Sequence, residues 1–295
     1  MIRLGAFGDF VMSFGPFAAI RAGHPGAEIT LLTTAPYAAL GRAAPWFDRV
    51  EVDARPAWWD ARGLWRLRRQ LRAFDLVYDL QTSGRSSRYF WLAGRPAWSG
   101  IAAGASLPHA NPARARMHTL ERQRDQLEMA GIAEFPPADL SWLAGRTFDP
   151  PERFALLVPG AAPHRPRKRW PAERFGELAV QLHTRGITPV VLGAAAEKPL
   201  AAVIQNACPA ARDLTGATVF GDIADLARRA VLAVGNDTGP MHLIAAVGCP
   251  CVVLFSADSD PALTAPRGPG GAWPVVIRVP DLADLPADRV AAALP

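Results

Sequence analysis

Lysine is nearly missing from this 295-residue chain: of 32 basic residues only two, at positions 168 and 198, are lysines, and arginine carries the rest. Cysteine is also sparse. Three residues, Cys208, Cys249 and Cys251, form an odd set without framework spacing, which excludes a disulfide scaffold and suits reduced thiols in a cytosolic protein. Cys249 and Cys251 flank Pro250 at the start of an apolar strand, where buried structural thiols are expected. No second Cys/His pair lies nearby, and the six histidines lack metal-ligand spacing, so the sequence offers no zinc site. No window reaches the ~20 apolar residues of a membrane-spanning helix. The opening MIRLGAFGDF has neither the apolar core nor the cleavage site of a signal peptide and reads as a first strand. A soluble or membrane-surface protein is expected.

What is present is a foldable composition. Half the residues are apolar and a fifth are charged, far from the disordered class. Basic residues outnumber the 27 acidic ones, giving a net charge of +5. That balance suits an anionic ligand or surface without choosing among nucleotide, lipid and nucleic acid. The basic residues are scattered along both halves with no aromatic-interleaved patch evident, so nucleic acid is the least favoured partner.

Apolar strand-like runs alternate with helical patterns along the chain, the signature of an α/β protein with parallel sheets. Strands are predicted at 2–7, 28–33, 49–52, 76–80 and 98–101, with helices at about 10–22, 36–42, 61–73, 84–93 and 115–130. Proline-rich 131–154 breaks the rhythm and reads as a linker. Strands follow at 154–160, 188–193, 230–236, 251–256 and 273–279, with helices at 171–185, 195–206, 221–229 and from 240, and a short helix in the tail 281–293. Two Rossmann-like domains are therefore expected, 1–145 and 146–295, with the last helix packing back on the first domain. Ligands of such sheets bind beyond the carboxyl ends of the strands, which makes an interdomain cleft the default site.

Four strand ends carry chemistry. In LGAFGDF, Gly5 and Gly8 permit a tight turn, and Asp9 is either a first-turn acid of the next helix or a general base. The turn is neither a Walker loop nor a full dinucleotide fingerprint. In YDLQTSGRSSRYF, Gln81, Arg85 and Arg88 either cap and solvate a helix start or recognise an anionic acceptor. In VPGAAPHRPRKRWP, Gly160 ends a strand, and Lys168 is the sharpest candidate in a basic loop able to neutralise a diphosphate. In GNDTGPMHLIAAVG, the Thr238 hydroxyl and the amides around Gly239 suit phosphate oxygens at a helix start. Asp237 there either caps the helix or meets sugar hydroxyls, and His242 either packs or contacts ligand. The Asp-x-Asp in ADSD, 257–260, has no supporting acidic cluster and is not expected to hold metal. The apolar stripe Leu64, Leu67, Leu71 and Phe74 packs on a sheet, leaving an arginine face able to lean on anionic lipid headgroups.

Together these stretches resemble glycosyltransferase family 9, the ADP-heptose:lipopolysaccharide heptosyltransferase group. The resemblance implies a GT-B-like fold whose two parallel sheets face an interdomain cleft. It implies inverting, metal-independent transfer of a heptose from ADP-heptose to a lipopolysaccharide core or related glycan, with no cofactor. Asp9 then matches the general base, and Lys168 the residue that steadies the leaving diphosphate. Asp237, Thr238 and Gly239 match the donor grip, with Gly8, Gly160 and His242 beside it. Arg85 faces an acidic acceptor, with Gln81 and Arg88. Two departures stand on the acceptor side: Thr82 where the family often has Gly, and Arg85 where it often has Lys. The alternatives are transfer of another nucleotide sugar to an acceptor other than lipopolysaccharide, or non-catalytic nucleotide-sugar binding. A cytoplasmic location, with peripheral contact at the cytoplasmic face of the inner membrane, completes the expectation.

Overall fold

The computed structural model describes every residue except Thr147. It divides into two units, Met1–Trp142 and Leu143–Pro295. The first contains α1 (Phe7–Met12), α2 (Phe14–Gly23), β1 (Thr30–Thr33), α3 (Ala35–Ala43), β2 (Arg49–Val52), α4 (Ala61–Leu71), β3 (Leu76–Tyr78), α5 (Gly84–Ala93), β4 (Ala97–Gly100), β5 (Leu107–Pro108) and α6 (Thr119–Met129). The second contains β6 (Phe154–Val158), α7 (Ala172–Thr184), β7 (Thr188–Val191), α8 (Lys198–Ala207), β8 (Arg212–Asp213), α9 (Phe220–Arg229), β9 (Leu232–Asn236), α10 (Gly239–Ala246), β10 (Cys251–Phe255), α11 (Pro261–Thr264), β11 (Val275–Arg278) and α12 (Ala287–Ala291).

In the second unit all six strands are parallel, ordered β11-β10-β9-β6-β7-β8. The chain runs outward from β6 to one edge, then returns beside β6 at β9 and runs to the other. This is the doubly wound Rossmann order, with its switch point between β6 and β9. Strands β6, β9 and β10 are buried along their whole length, which explains their unbroken apolar runs. Helix α7 packs Phe175, Leu178, Ala179 and Leu182 into the same core, and Trp170 joins them.

The first unit repeats this order in reduced form. The predicted strand 2–7 shrinks to a bridge at Ile2, which pairs in parallel with Leu32 on one side and Asp79 on the other. Backbone bonds from Ile2 N–H to the Tyr78 carbonyl and from Arg3 N–H to the Leu32 carbonyl confirm the placement. The lateral order is therefore β2, β1, Ile2, β3, β4, β5, with the switch point between Ile2 and β3. The extended run ends early because Gly5 turns to φ +135°, and α1 starts at Phe7. The single helix predicted over 10–22 is two helices that meet at Ser13. Pro16 has no N–H to bond back to Met12, so the break places it in the first turn of α2, where none is required.

Two further expectations change. The linker is not structureless throughout: the Gly145 N–H donates to Asp225 Oδ2 at 2.6 Å, and Arg146 pairs with buried Asp222 at 2.7 Å, fixing this stretch to the start of α9. The last helix does not leave its own half. Leu282, Leu285, Val290 and Ala291 complete the second unit's core, because those apolar residues cover the flank of α7.

Candidate active site

The switch-point topology puts the four motif stretches at equivalent places. In each unit the carboxyl ends of the two central strands diverge into crossovers of opposite direction, leaving a crevice there. In the second unit those ends are Pro159–Lys168 after β6 and Asp237–Gly239 after β9. In the first they are Arg3–Asp9 after Ile2 and Asp79–Arg85 after β3.

The second-unit site is built around Asn236, which the sequence reading passed over. Its buried carboxamide accepts from the Trp170 N–H at 3.0 Å and donates to the Pro159 carbonyl at 2.7 Å. One side chain thus ties the end of β9 to both ends of the basic loop. Trp170 is buried and donates its indole N–H to the Leu285 carbonyl at 2.9 Å, so the loop's far end is anchored in the core. Between these anchors the short 3-10 turn Pro166–Lys168 presents the Lys168 amine to Asp237 at 2.5 Å. Both side chains are largely buried, at 13% and 7% exposure. Ser259 Oγ donates to the same Asp237 oxygen at 2.7 Å. Asp237 therefore faces the lysine and does not cap the helix. Thr238 takes the N-cap position of α10 in extended backbone and makes no side-chain cap bond, so its hydroxyl is available to a ligand. His242 is buried one turn into α10.

Gly160 has a packing reason. A Cβ there would fall 1.7 Å from Glu197 Oε1, and one on Gly193 would fall 2.6 Å from Glu197 Oε2. The Glu197 carboxylate thus sits across the glycines ending β6 and β7, and it accepts the Ala194 N–H at 2.8 Å. In ADSD, Asp258 pairs with Arg167 at 3.7 Å, Ser259 bonds Asp237, and Asp260 caps α11 and pairs with Arg278. Among the described residues no group of three or more His, Cys, Asp or Glu could hold a metal ion. All three cysteines are free and buried, and desolvation pushes the Cys249 and Cys251 thiols up to about 12.

In the first unit, Asp9 stands in the first turn of α1 with its carboxylate 41% exposed and 3.4 Å from the guanidinium of Arg3. Arg3 is buried. It donates to the Asp9 backbone carbonyl at 3.1 Å and to the Leu80 carbonyl, which locks the two strand-end loops together beneath Asp9. Gln81 adds to this lock, since its Oε1 accepts the Leu4 N–H at 2.8 Å. Buried Asp79 accepts the Gln81 and Thr82 N–H groups and holds Thr82 at φ +41°. Gly8 is buried within α1.

Arg85 is already engaged. Its Nε donates to the Tyr89 hydroxyl at 2.7 Å and its Nη2 to the Pro56 carbonyl at 2.7 Å, while Tyr89 donates to Asp53 at 2.6 Å. Arg85 and Arg88 both lie over the Trp58 ring, at 5.2 and 5.0 Å. Asp9 and Gln81 thus share one loop junction, Lys168 and Asp237 share another, and Arg85 and Arg88 converge on Trp58. Arg3, Asn236, Ser259 and Trp58 were missed. Arg3 and Asn236 read as strand residues, Ser259 was hidden in an acidic tetrapeptide, and nothing local marks their long-range partners.

Two doubly wound units with basic and hydroxyl groups at the carboxyl ends of their central strands define an α/β protein of Rossmann-like halves. Solved structures share the fold. A family 9 glycosyl transferase from Veillonella parvula superposes with a TM-score of 0.80 at 20% identity, covering 99% of this chain and 94% of that one. The E. coli heptosyltransferase WaaC with ADP gives 0.77 at 22% identity, covering 99% and 97%. Residues 64–273 match the profile of glycosyltransferase family 9 (heptosyltransferase), and the chain belongs to that family. Over 106 residues it is 34% identical to lipooligosaccharide heptosyltransferase 2 of Haemophilus influenzae and 35% identical to lipopolysaccharide heptosyltransferase 2 of Salmonella typhimurium. Each match covers 34% of this chain and 30% of the relative, so the aligned stretch spans less than a third of those proteins.

Proposed function

We propose that the chain transfers a heptose from ADP-heptose to a lipopolysaccharide core sugar, inverting the anomeric centre without a metal ion. The observation that carries this reading is the second unit's switch point, where the Lys168 amine and the uncapped start of α10 stand at the ends of adjacent central strands. Helix starts favour anions through unpaired amides and the helix dipole, and a fixed ammonium adds the charge a departing diphosphate needs. The family membership, and the ADP and ADP-2-deoxy-2-fluoro heptose bound in structures of E. coli WaaC, support the choice of donor.

In this reading Thr238, Gly239 and Lys168 hold the diphosphate, and Asp237 keeps the Lys168 amine aimed until the donor arrives. Gly8, Gly160 and His242 shape the donor's surroundings. Asp9, held by Arg3, takes the proton of the acceptor hydroxyl as its oxygen attacks the anomeric carbon and the carbon–oxygen bond to the diphosphate breaks. Arg88 and the Trp58 face receive the anionic acceptor. Arg85 and Gln81 order that side through the bonds they already make. The residue range 1–145 serves the acceptor and 146–295 the donor. The enzyme works in the cytoplasm, against the cytoplasmic face of the inner membrane.

The test is turnover with ADP-heptose and a truncated lipopolysaccharide acceptor, read as ADP release. Asp9→Asn lowers kcat by about 100-fold or more, the range of a lost general base, with little change in donor KM. Lys168→Ala lowers kcat/KM comparably through the leaving group. Unchanged turnover in both variants overturns the assignment.

A further inference from the structure

Helices α4 and α5 carry a second surface that the transfer chemistry does not use. They pack side by side: Leu67 and Leu71 of α4 join Tyr89, Phe90 and Ala93 of α5 in one core, and the Arg68 guanidinium donates to the Leu92 carbonyl at 3.2 Å. With those residues turned inward, helical spacing turns Arg62, Trp65, Arg66 and Arg69 outward on α4, and Trp91 and Arg95 outward along and just past α5. All six are exposed, with Trp65 at 57% and Trp91 at 48%, and Trp59 just before α4 stands 88% exposed. No acidic residue occurs from 61 to 74 or from 84 to 95. The basic residues that look scattered in the sequence are brought together here with tryptophans between them.

We infer that the α4–α5 face docks on a bilayer surface rich in anionic lipid. This rests on the proposed membrane location but not on heptosyl transfer. Charge complementarity chooses the partner: an arginine-rich face on two helices without acidic residues attracts an acidic leaflet, and each basic residue near such a surface strengthens binding by about fivefold. The tryptophans choose a bilayer over a nucleic acid. The Arg69 guanidinium lies 4.9 Å from the centroid of the Trp65 ring and that of Arg95 4.1 Å from Trp91, so a π-face a base would stack on is covered by a cation. An indole whose face is paired with a guanidinium suits the headgroup boundary, where indoles sit and arginine stems reach to phosphate.

Flotation of the whole chain with phosphatidylcholine vesicles, with and without 30% phosphatidylglycerol, tests this; the vesicles hold no glycan acceptor, so binding reads the surface and not the active site. Binding is expected only to the acidic vesicles and to weaken with salt. Arg62→Gln/Arg66→Gln/Arg69→Gln lowers partitioning by about 100-fold, following from about fivefold per charge. Trp59→Ala/Trp65→Ala/Trp91→Ala lowers it at least tenfold at unchanged charge. The second-unit control Arg153→Gln/Arg174→Gln/Arg289→Gln leaves it within about twofold. Circular dichroism confirms folding, and turnover of a soluble acceptor stays unchanged in both first-unit variants. The proposal is overturned by no binding of the folded wild-type chain to acidic vesicles, by equal loss in the control, by no effect of the tryptophan variant, or by oligonucleotide binding that competes with vesicles at equal affinity.

Discussion

Single residues hold the two strand-end crevices open, and they do so with buried polar groups. Asn236 satisfies two backbone groups that no strand or helix pairs, and Arg3 does the same beneath Asp9. Asp79 is the costlier case. Burial raises its carboxyl from 3.8 to about 6, against the opposing pull of the Ser86 hydroxyl, the Thr82 and Gln81 N–H groups and the Arg3 charge. A folded value above the unfolded one means the native chain holds the extra proton between about pH 4 and 6. This stabilisation is full below the unfolded value and is lost as pH rises through 6; it amounts to on the order of 3 kcal/mol. Asp79→Asn, neutral throughout, removes that dependence. Urea unfolding at pH 4, 5, 6 and 7 should show the wild type losing stability relative to the variant across this window, and a constant difference contradicts it.

At the scale of elements, the sequence was informative where periodicity or capping chemistry is local. Helix α5 falls on its predicted range because Ser83 and Ser86 form a capping box and Gly94 ends it in the left-handed region. Strand β2 matches too, although it is half exposed. The first strand and first helix were misjudged because their limits depend on Gly5 adopting φ +135° and on Pro16 needing a helix start, neither of which an apolar pattern records. The candidate site residues divide the same way. Asp9, Lys168 and Thr238 stood out by type and position, whereas Asn236 and Ser259 act through partners 66 and 22 residues away. The glycine turn after β6 gives a prediction at this scale. Gly160→Ala drives a methyl into the Glu197 carboxylate and costs about 1–3 kcal/mol, typical of overpacking. In a Glu197→Ala background the obstacle is gone, so the double variant should be more stable than the sum of the single losses, which denaturant midpoints of the four proteins will show.

Across the whole molecule the economy lies in repetition. Both units wind outward from a first strand and return beside it, and both place their polar motifs on the two loops that diverge there. The alternation of apolar runs showed two such halves, but not the lateral order of strands, since pairing between β6 and β9 joins residues 77 apart in the chain. Once that order is known, the four stretches picked out by composition become two crevices, one offering cations and a helix start, the other an exposed carboxylate. The α4–α5 face likewise belongs to this scale, because only packing gathers its arginines. The central claim is that the second-unit crevice grips the diphosphate of an adenosine diphosphate sugar. Calorimetric titration of the chain with ADP and AMP, repeated on Lys168→Ala, tests it most directly. ADP is expected to bind the wild type at least tenfold more tightly than AMP, and Lys168→Ala to weaken ADP by about 10- to 100-fold, the worth of one charge-assisted hydrogen bond, while leaving AMP nearly unchanged. Equal binding of ADP and AMP, or full ADP affinity without Lys168, would contradict it.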